Sequence, residues 1–235
     1  MTSGALPAAW NPARSILCLV TPGSALPFAI STPEERAAAI IALVRDAVAA
    51  GIDLVQVREP DMAARLLALI VEAAVDASRG TPTRVVVNDR VDVALACGAD
   101  GAHLGARSLA AARVREITPP GFLLGRSIHT VDEARAAAAE DAVDYLIAGT
   151  VFRSASKPGE SRLLGTDGLA AVVRAAMRPV LAIGGVDLDT VAPVAATGAR
   201  GFAAIRFFSD AAAGARLRET VTRARDVFDT ARVIP

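Results

Sequence analysis

The chain is poor in several residue types whose absence narrows its chemistry. Among its 235 residues there is one lysine, Lys157, and there are two histidines, His103 and His129, and two cysteines, Cys18 and Cys97. Two isolated thiols without CxxC spacing make neither a disulfide framework nor a zinc motif. Both are expected to be core thiols. Aromatic residues are only 4% of the chain although 53% of it is hydrophobic. A core built from Ala, Val, Leu and Ile suits stacked layers of branched side chains better than an aromatic sandwich. Net charge is absent as well, 25 basic residues balancing 25 acidic ones, which argues against a nucleic-acid partner. No apolar run reaches the roughly 18 residues of a membrane span. The first residues carry no positive stretch ahead of an apolar one, so no signal peptide is expected and a cytoplasmic location is.

What is present is a regular alternation. Short apolar, β-branched runs stand at Ile16–Thr21, Leu54–Arg58, Arg84–Asn88, Gly101–Leu104, Leu123–Ser127, Tyr145–Ala148, Val180–Ile183 and Gly201–Ile205. Alanine-rich segments with helical spacing follow them at Pro33–Ala50, Asp61–Arg79, Val91–Cys97, Leu109–Ile117, Val131–Glu140, Thr166–Met177, Leu188–Thr197 and Ala211–Ala231. Thr32-Pro33-Glu34-Glu35 reads as a capping box with proline at the first helical position, and Thr130 with Glu133 repeats the spacing. Asp187, and Ser209 or Asp210, are further candidate caps. Continuous apolar strands are buried on both faces, as in parallel sheets, and eight βα units close a barrel. The expected fold is α/β, a single (β/α)8 TIM barrel over 15–235 behind a short flexible tail at 1–14. An open doubly wound sheet is the alternative.

In such a barrel the active site lies at the C-terminal ends of the strands. That places Gln56, Arg58, Asn88, Asp89, His103, Ser127, His129, Thr150, Ser154, Ser156, Lys157, Gly184, Gly185 and Arg206 at or near one face. Gly184-Gly185 directly after an apolar strand can point backbone N–H groups at a phosphate or can simply make a tight turn. The loop Phe152 to Gly165 adds hydroxyls and the sole lysine, an anion-binding set if it folds over a ligand. Asp89 could hold a divalent metal together with substrate phosphates, or cap the next helix. His129 is positioned for acid–base work or for a structural role at a helix start. His103 has no role that spacing alone assigns.

Gln56-Val57-Arg58-Glu59, Asn88-Asp89-Arg90-Val91-Asp92, Gly101-Ala102-His103-Leu104-Gly105, Gly149-Thr150, Ser154-Ala155-Ser156-Lys157 and Ala182-Ile183-Gly184-Gly185 resemble, in matching order, the thiamin phosphate synthase and TenI superfamily. The resemblance implies a β/α barrel and one of two activities. The synthase couples a pyrimidine pyrophosphate to a thiazole phosphate with Mg²⁺ and releases pyrophosphate. TenI-type members tautomerise the thiazole phosphate without metal. On the synthase pattern Gln56, Arg58 and Asn88 are pyrimidine and pyrophosphate contacts and Asp89 is a Mg²⁺ ligand. Ser127, Ser154, Ser156 and Lys157 fall on ligand and pyrophosphate positions, and Gly185 on the thiazole phosphate site.

Four positions depart from the pattern. Pro60 stands where the synthase has a lysine, Ala106-Arg107-Ser108 covers its second metal-binding aspartate, and Arg206 replaces a small hydroxyl residue. Thr150 stands where TenI tautomerases carry their catalytic histidine, which leaves His129 as the nearest base. Losing a lysine and a metal ligand removes several kcal/mol of stabilisation from a departing pyrophosphate, about the size of such electrostatic contributions. The leading expectation is therefore a TenI-like protein binding or tautomerising a thiazole monophosphate without cofactor, with His129, Arg58 and Lys157 as catalytic residues. The alternatives are a Mg²⁺-dependent synthase, in which Arg107 or Arg206 replaces the missing cations, and a non-catalytic phosphate-binding regulator. A homo-oligomer is compatible with each.

Overall fold

A computed structural model describes residues 10, 14–23, 25, 32–140, 142–153 and 162–232. Eight strands are closed into one barrel in sequence order: β1 Ile16–Val20, β2 Leu54–Val57, β3 Arg84–Asn88, β4 Gly101–Leu104, β5 Leu123–Ile128, β6 Tyr145–Gly149, β7 Val180–Ile183 and β8 Gly201–Ala204. Every pairing is parallel, and β1 meets β8 with Ile16 opposite Gly201. Around them lie α1 Pro33–Ala50, α2 Ala64–Ser78, α3 Val91–Ala96, α4 Ala111–Arg115, α5 Val131–Ala139, α6 Gly165–Ala175, α7 Val191–Ala196, α8 Arg206–Ala213 and α9 Leu217–Ala231. None is long and apolar enough to cross a membrane.

The alternation of each strand splits the core in two. Ile16, Cys18, Val20, Leu54, Val86 and Leu181 point inward and fill the barrel, while their neighbours in sequence pack outward against the helices. Cys18 is fully buried there, and burial pushes its thiol far above the ordinary range, leaving it inert. Cys97 is only partly buried. Capping follows the sequence where the cap is local. The Thr32 hydroxyl accepts from Glu35 N–H while the Glu35 carboxylate accepts from Thr32 N–H, and Thr130 caps α5 through Glu133 N–H at 3.1 Å.

A repeated device holds the N-terminal end of the barrel. Asp53, Asp100 and Asp144 each directly precede an even-numbered strand, and each accepts from an N–H of the odd strand before it: Leu17 at 2.9 Å, Val85 at 2.7 Å and Leu124 at 2.7 Å. Each carboxylate also meets an arginine, Arg225, Arg84 and Arg115 respectively. Arg225 comes from α9 and donates to the Ser15 and Gly51 carbonyls as well, so the last helix is fastened to the barrel seam.

Three expectations are corrected here. The last helical segment is two helices, separated at Gly214, Ala215 and Arg216, with Ala215 in the left-handed region at φ 53°. Phe207 and Phe208 pack on Phe202 at ring separations of 5.9 and 5.8 Å, which draws the chain into α8 as soon as β8 ends. Ser209 and Asp210 are thus inside α8 rather than caps. Asp187 accepts from Asp189 and Thr190 N–H and caps a turn, with α7 beginning only at Val191. Ahead of β1, Trp10 is 4% exposed and lies edge-on to Tyr145 at 5.4 Å, and Arg14 pairs with Asp53 at 3.5 Å. The open N-terminal mouth of the barrel offers apolar surface, and the indole of Trp10 covers it.

Candidate functional site

At the opposite, C-terminal mouth the strand ends bring together most of the polar groups singled out in the sequence. Gln56 on β2 faces inward, is 3% exposed, and among the described residues has no hydrogen-bond partner for its amide nitrogen. An unsatisfied buried donor costs about 1–3 kcal/mol, so such a group is set to meet something else. Arg58, one residue past β2, is exposed. Its backbone N–H donates to the Thr21 hydroxyl at 2.8 Å, and that hydroxyl donates to Glu59 at 2.6 Å. Glu59 also accepts from Gly23 N–H at 3.1 Å. The sequence reading gave Glu59 no role of its own, yet it ties the loops after β1 and β2 together and so fixes the backbone that carries Arg58. Burial holds its carboxyl above the ordinary glutamate range, opposed by the bonds from Thr21 and Gly23 and by the charges of Arg36 and Arg58.

Asn88 ends β3 and its amide donates to Asp89 at 2.9 Å. Asp89 has a positive φ of 59°, and its other oxygen accepts from Gly105 N–H at 3.2 Å and from the Ser108 hydroxyl. Ser108, at the place where the family resemblance puts a second aspartate, therefore turns toward the first one. Among the described residues no three His, Cys, Asp or Glu side chains cluster as a metal cage. One exposed carboxylate with a hydroxyl oxygen beside it still fits Mg²⁺ in its usual form, where substrate phosphates supply further oxygens.

Ser127 on β5 is half-buried, with its hydroxyl 2.9 Å from His103 Nε2. His103 itself is 1% exposed, and burial, aided by the Arg58 charge and opposed by Asp89, lowers its imidazole to about 4. It is neutral at pH 7. The ring of His129 sits on the Gly149 carbonyl through Nδ1, which must donate there. Its backbone N–H is held by Glu133.

Thr150 follows β6 and is buried, its carbonyl accepting from Leu164 N–H at 2.9 Å. The β6–α6 loop lies against Gly184 and Gly185, both with positive φ, at 101° and 64°. A Cβ on Gly184 would fall 2.5 Å from Thr150 Cγ2, and one on Gly185 would fall 2.4 Å from the Arg153 carbonyl oxygen. The immediate reason for both glycines is thus the close passage of the neighbouring loop. Arg206 opens α8 and pairs with Asp210 at 3.4 Å. Ser154, Ser156 and Lys157 lie outside the described residues.

Comparison with known proteins agrees with this geometry. The family model described as thiamine monophosphate synthase matches residues 28–208. A thiamine-phosphate synthase of Moorella thermoacetica is 42% identical over 187 residues, covering 78% of this chain and 89% of that protein. One from Roseiflexus castenholzii is 38% identical over 194 residues, covering 81% and 83%. Among solved structures, thiamine phosphate pyrophosphorylase from Pyrococcus furiosus superposes with a TM-score of 0.76 at 27% identity, over 94% of this chain and 99% of that one. A match of this extent means that the chain belongs to the thiamine monophosphate synthase family.

Proposed function

We propose that the chain is a thiamine-phosphate synthase, a transferase that joins a pyrimidine pyrophosphate to a thiazole phosphate and releases pyrophosphate. The observation that carries this reading is the identity of 42% with a protein of that name, spread over 89% of the relative's length. It reverses the order of the expectations drawn from the sequence, where a TenI-like protein taking a monophosphate stood first. The departures at Pro60 and Ser108 weigh less than they did in isolation, because the Ser108 hydroxyl still supplies an oxygen beside Asp89.

In this reading the unpartnered Gln56 amide recognises the pyrimidine. Arg58, Asn88 and Ser127 hold the pyrophosphate, joined by Ser154, Ser156 and Lys157 from the β6–α6 loop. Asp89, with Ser108 beside it, would hold Mg²⁺, which when bound neutralises charge on the leaving pyrophosphate. Gly184, Gly185, Thr150 and Arg206 surround the thiazole phosphate. As the carbon–oxygen bond to pyrophosphate breaks, its electron pair leaves with the pyrophosphate, and the thiazole supplies the pair for the new bond. Arg58 and Lys157 meet the charge that develops, the kind of electrostatic stabilisation that dominates such steps.

One observation favours a second reading. With Nδ1 of His129 donating to the Gly149 carbonyl, a neutral ring would present the lone pair of Nε2, the arrangement a thiazole tautomerase needs for a base. Purified protein incubated with the pyrimidine pyrophosphate, the thiazole phosphate and Mg²⁺ separates the readings. Thiamin phosphate should form, and Asp89→Ala should cut its formation by more than about tenfold. Tautomerisation without metal and without condensation would overturn the synthase in favour of the second reading, and ligand binding without either reaction would overturn both.

A further inference from the structure

Inside the barrel three polar side chains lie in a line that no part of the reaction outlined above uses in full. Tyr145 Oη is 3.3 Å from His103 Nδ1, and His103 Nε2 is 2.9 Å from Ser127 Oγ. The line runs from the first residue of β6, beneath which Trp10 packs, to the upper part of β5 at the C-terminal mouth. Strand register makes it possible. His103 is paired with Gly125, and Gly125 with Tyr145, so all three occupy one level. A Cβ on Gly125 would fall 2.1 Å from Tyr145 Cζ and 2.5 Å from His103 Nδ1. The missing side chain is the gap through which phenol and imidazole meet.

Tyr145 is fully buried among Trp10, Ile16, Leu123 and other apolar residues of the inner core, and His103 supplies the one hydrogen-bonding group in contact with its hydroxyl among the described residues. The neutral imidazole has a single ring proton to place. With that proton on Nδ1, the ring would donate to Tyr145 and leave the phenol proton in hydrocarbon without an acceptor. With it on Nε2, the phenol donates to Nδ1, and Nε2 donates to Ser127. The penalty for a buried orphan donor favours the second arrangement by roughly five- to a hundredfold. Ser127 Oγ then already accepts a bond, and its own proton is free to point into the mouth.

We infer that Tyr145 and His103 are positioning residues: the buried phenol selects the Nε2–H tautomer of His103, which turns Ser127 into a hydrogen-bond donor toward an anionic phosphate oxygen. The inference rests on the proposed contact between Ser127 and the pyrophosphate. It assigns His103 no proton transfer, since the ring neither gains nor loses a proton. It also explains why the polar side chain of His103 is tolerated between apolar neighbours, with both ring nitrogens satisfied.

The tautomer can be read directly. With only two histidines in the chain, two-bond ¹H–¹⁵N spectra of protein labelled in histidine resolve both rings, and His129→Gln assigns them. In the otherwise native protein the His103 proton should reside on Nε2. In Tyr145→Phe, which keeps the ring and its packing, the proton should move to Nδ1 or exchange between the two nitrogens. Inorganic pyrophosphate is the binding probe. Its dissociation constant should rise several-fold in Ser127→Ala and in Tyr145→Phe, and the double variant should be no weaker than Ser127→Ala alone. An Nδ1–H tautomer in the native protein, or a tautomer indifferent to Tyr145→Phe, would overturn the inference. Pyrophosphate affinity unchanged in Ser127→Ala, with the tautomer as expected, would instead overturn the ligand role of Ser127.

Discussion

Removing the indole of Trp10 tests whether the N-terminal segment belongs to the barrel. A tryptophan side chain buries about 150–250 Å², worth roughly 4–6 kcal/mol at about 25 cal/mol per Å². The indole N–H of Trp10 has no partner among the described residues, which offsets about 1–3 kcal/mol of that gain. Trp10→Ala should therefore cost about 3 kcal/mol, at the lower end of the range for Trp→Ala in cores. For a domain of this size that is a fall in Tm of roughly 6–12 °C. Trp10→Phe keeps most of the apolar contact with Tyr145 and removes the orphan donor, so it should stay within about 1 kcal/mol of the native protein. Calorimetry gives both values. Because Trp10 is the sole tryptophan and Tyr145 the sole tyrosine, fluorescence reports on this contact alone. Native emission should be blue-shifted and shielded from acrylamide, and should become quenchable on unfolding. A loss below about 1 kcal/mol in Trp10→Ala, or native quenching as fast as in the unfolded chain, would refute the packing argument.

The Asp53–Arg225 pair is 2.8 Å long with side chains 14% and 12% exposed, and Asp76–Arg79 at the C-terminal end of α2 is nearly as short at 3.0 Å but 66% and 76% exposed. Burial decides their worth. Asp53→Ala removes the carboxylate partner of Arg225 and leaves Leu17 N–H without its acceptor, and should cost about 3 kcal/mol, whereas Asp76→Ala should cost at most about 0.5 kcal/mol by denaturant titration. Glu59 gives a pH signature. Its carboxyl is raised above the ordinary 4.5, so its contribution to folding is fullest below that value and is lost as pH rises through the folded-state value. Glu59→Gln can still accept from Thr21 and Gly23, and it should be more stable than the native protein near neutral pH, the difference closing as pH falls toward 4.5. Parallel stability curves from pH-dependent melts would show that Glu59 is not desolvated as described. Gly184→Ala should displace the β6–α6 loop and, if the proposed function holds, raise KM for the thiazole phosphate, with little change in stability beyond about 1–3 kcal/mol, as a Cβ there meets Thr150.

The barrel was legible because each strand and helix advertises itself locally. Strands buried on both faces read as unbroken apolar runs, and the Thr32 and Thr130 caps depend on residues three positions away. Where an element's limits depend on distant contacts, the pattern misled. Nothing near Arg206 signals that Phe208 stacks on Phe202, with Phe207 edge-on to it, and that a helix starts at once.

The site divides along the same line. Strand ends are local features, so Gln56, Arg58, Asn88, Asp89, Ser127 and His129 could be named from their positions alone. Which of them touch is set by register between strands that lie 20 or more residues apart in sequence. His103 illustrates the difference. Inward alternation on β4 makes it a polar group inside an apolar barrel, which is a sign of function or of a buried network but does not say which. Only the pairing of His103, Gly125 and Tyr145 at one level distinguishes them, and it does so through an absent side chain. A glycine inside a strand reads as a weak point of that strand, and Gly125 is instead the space that two residues from neighbouring strands share.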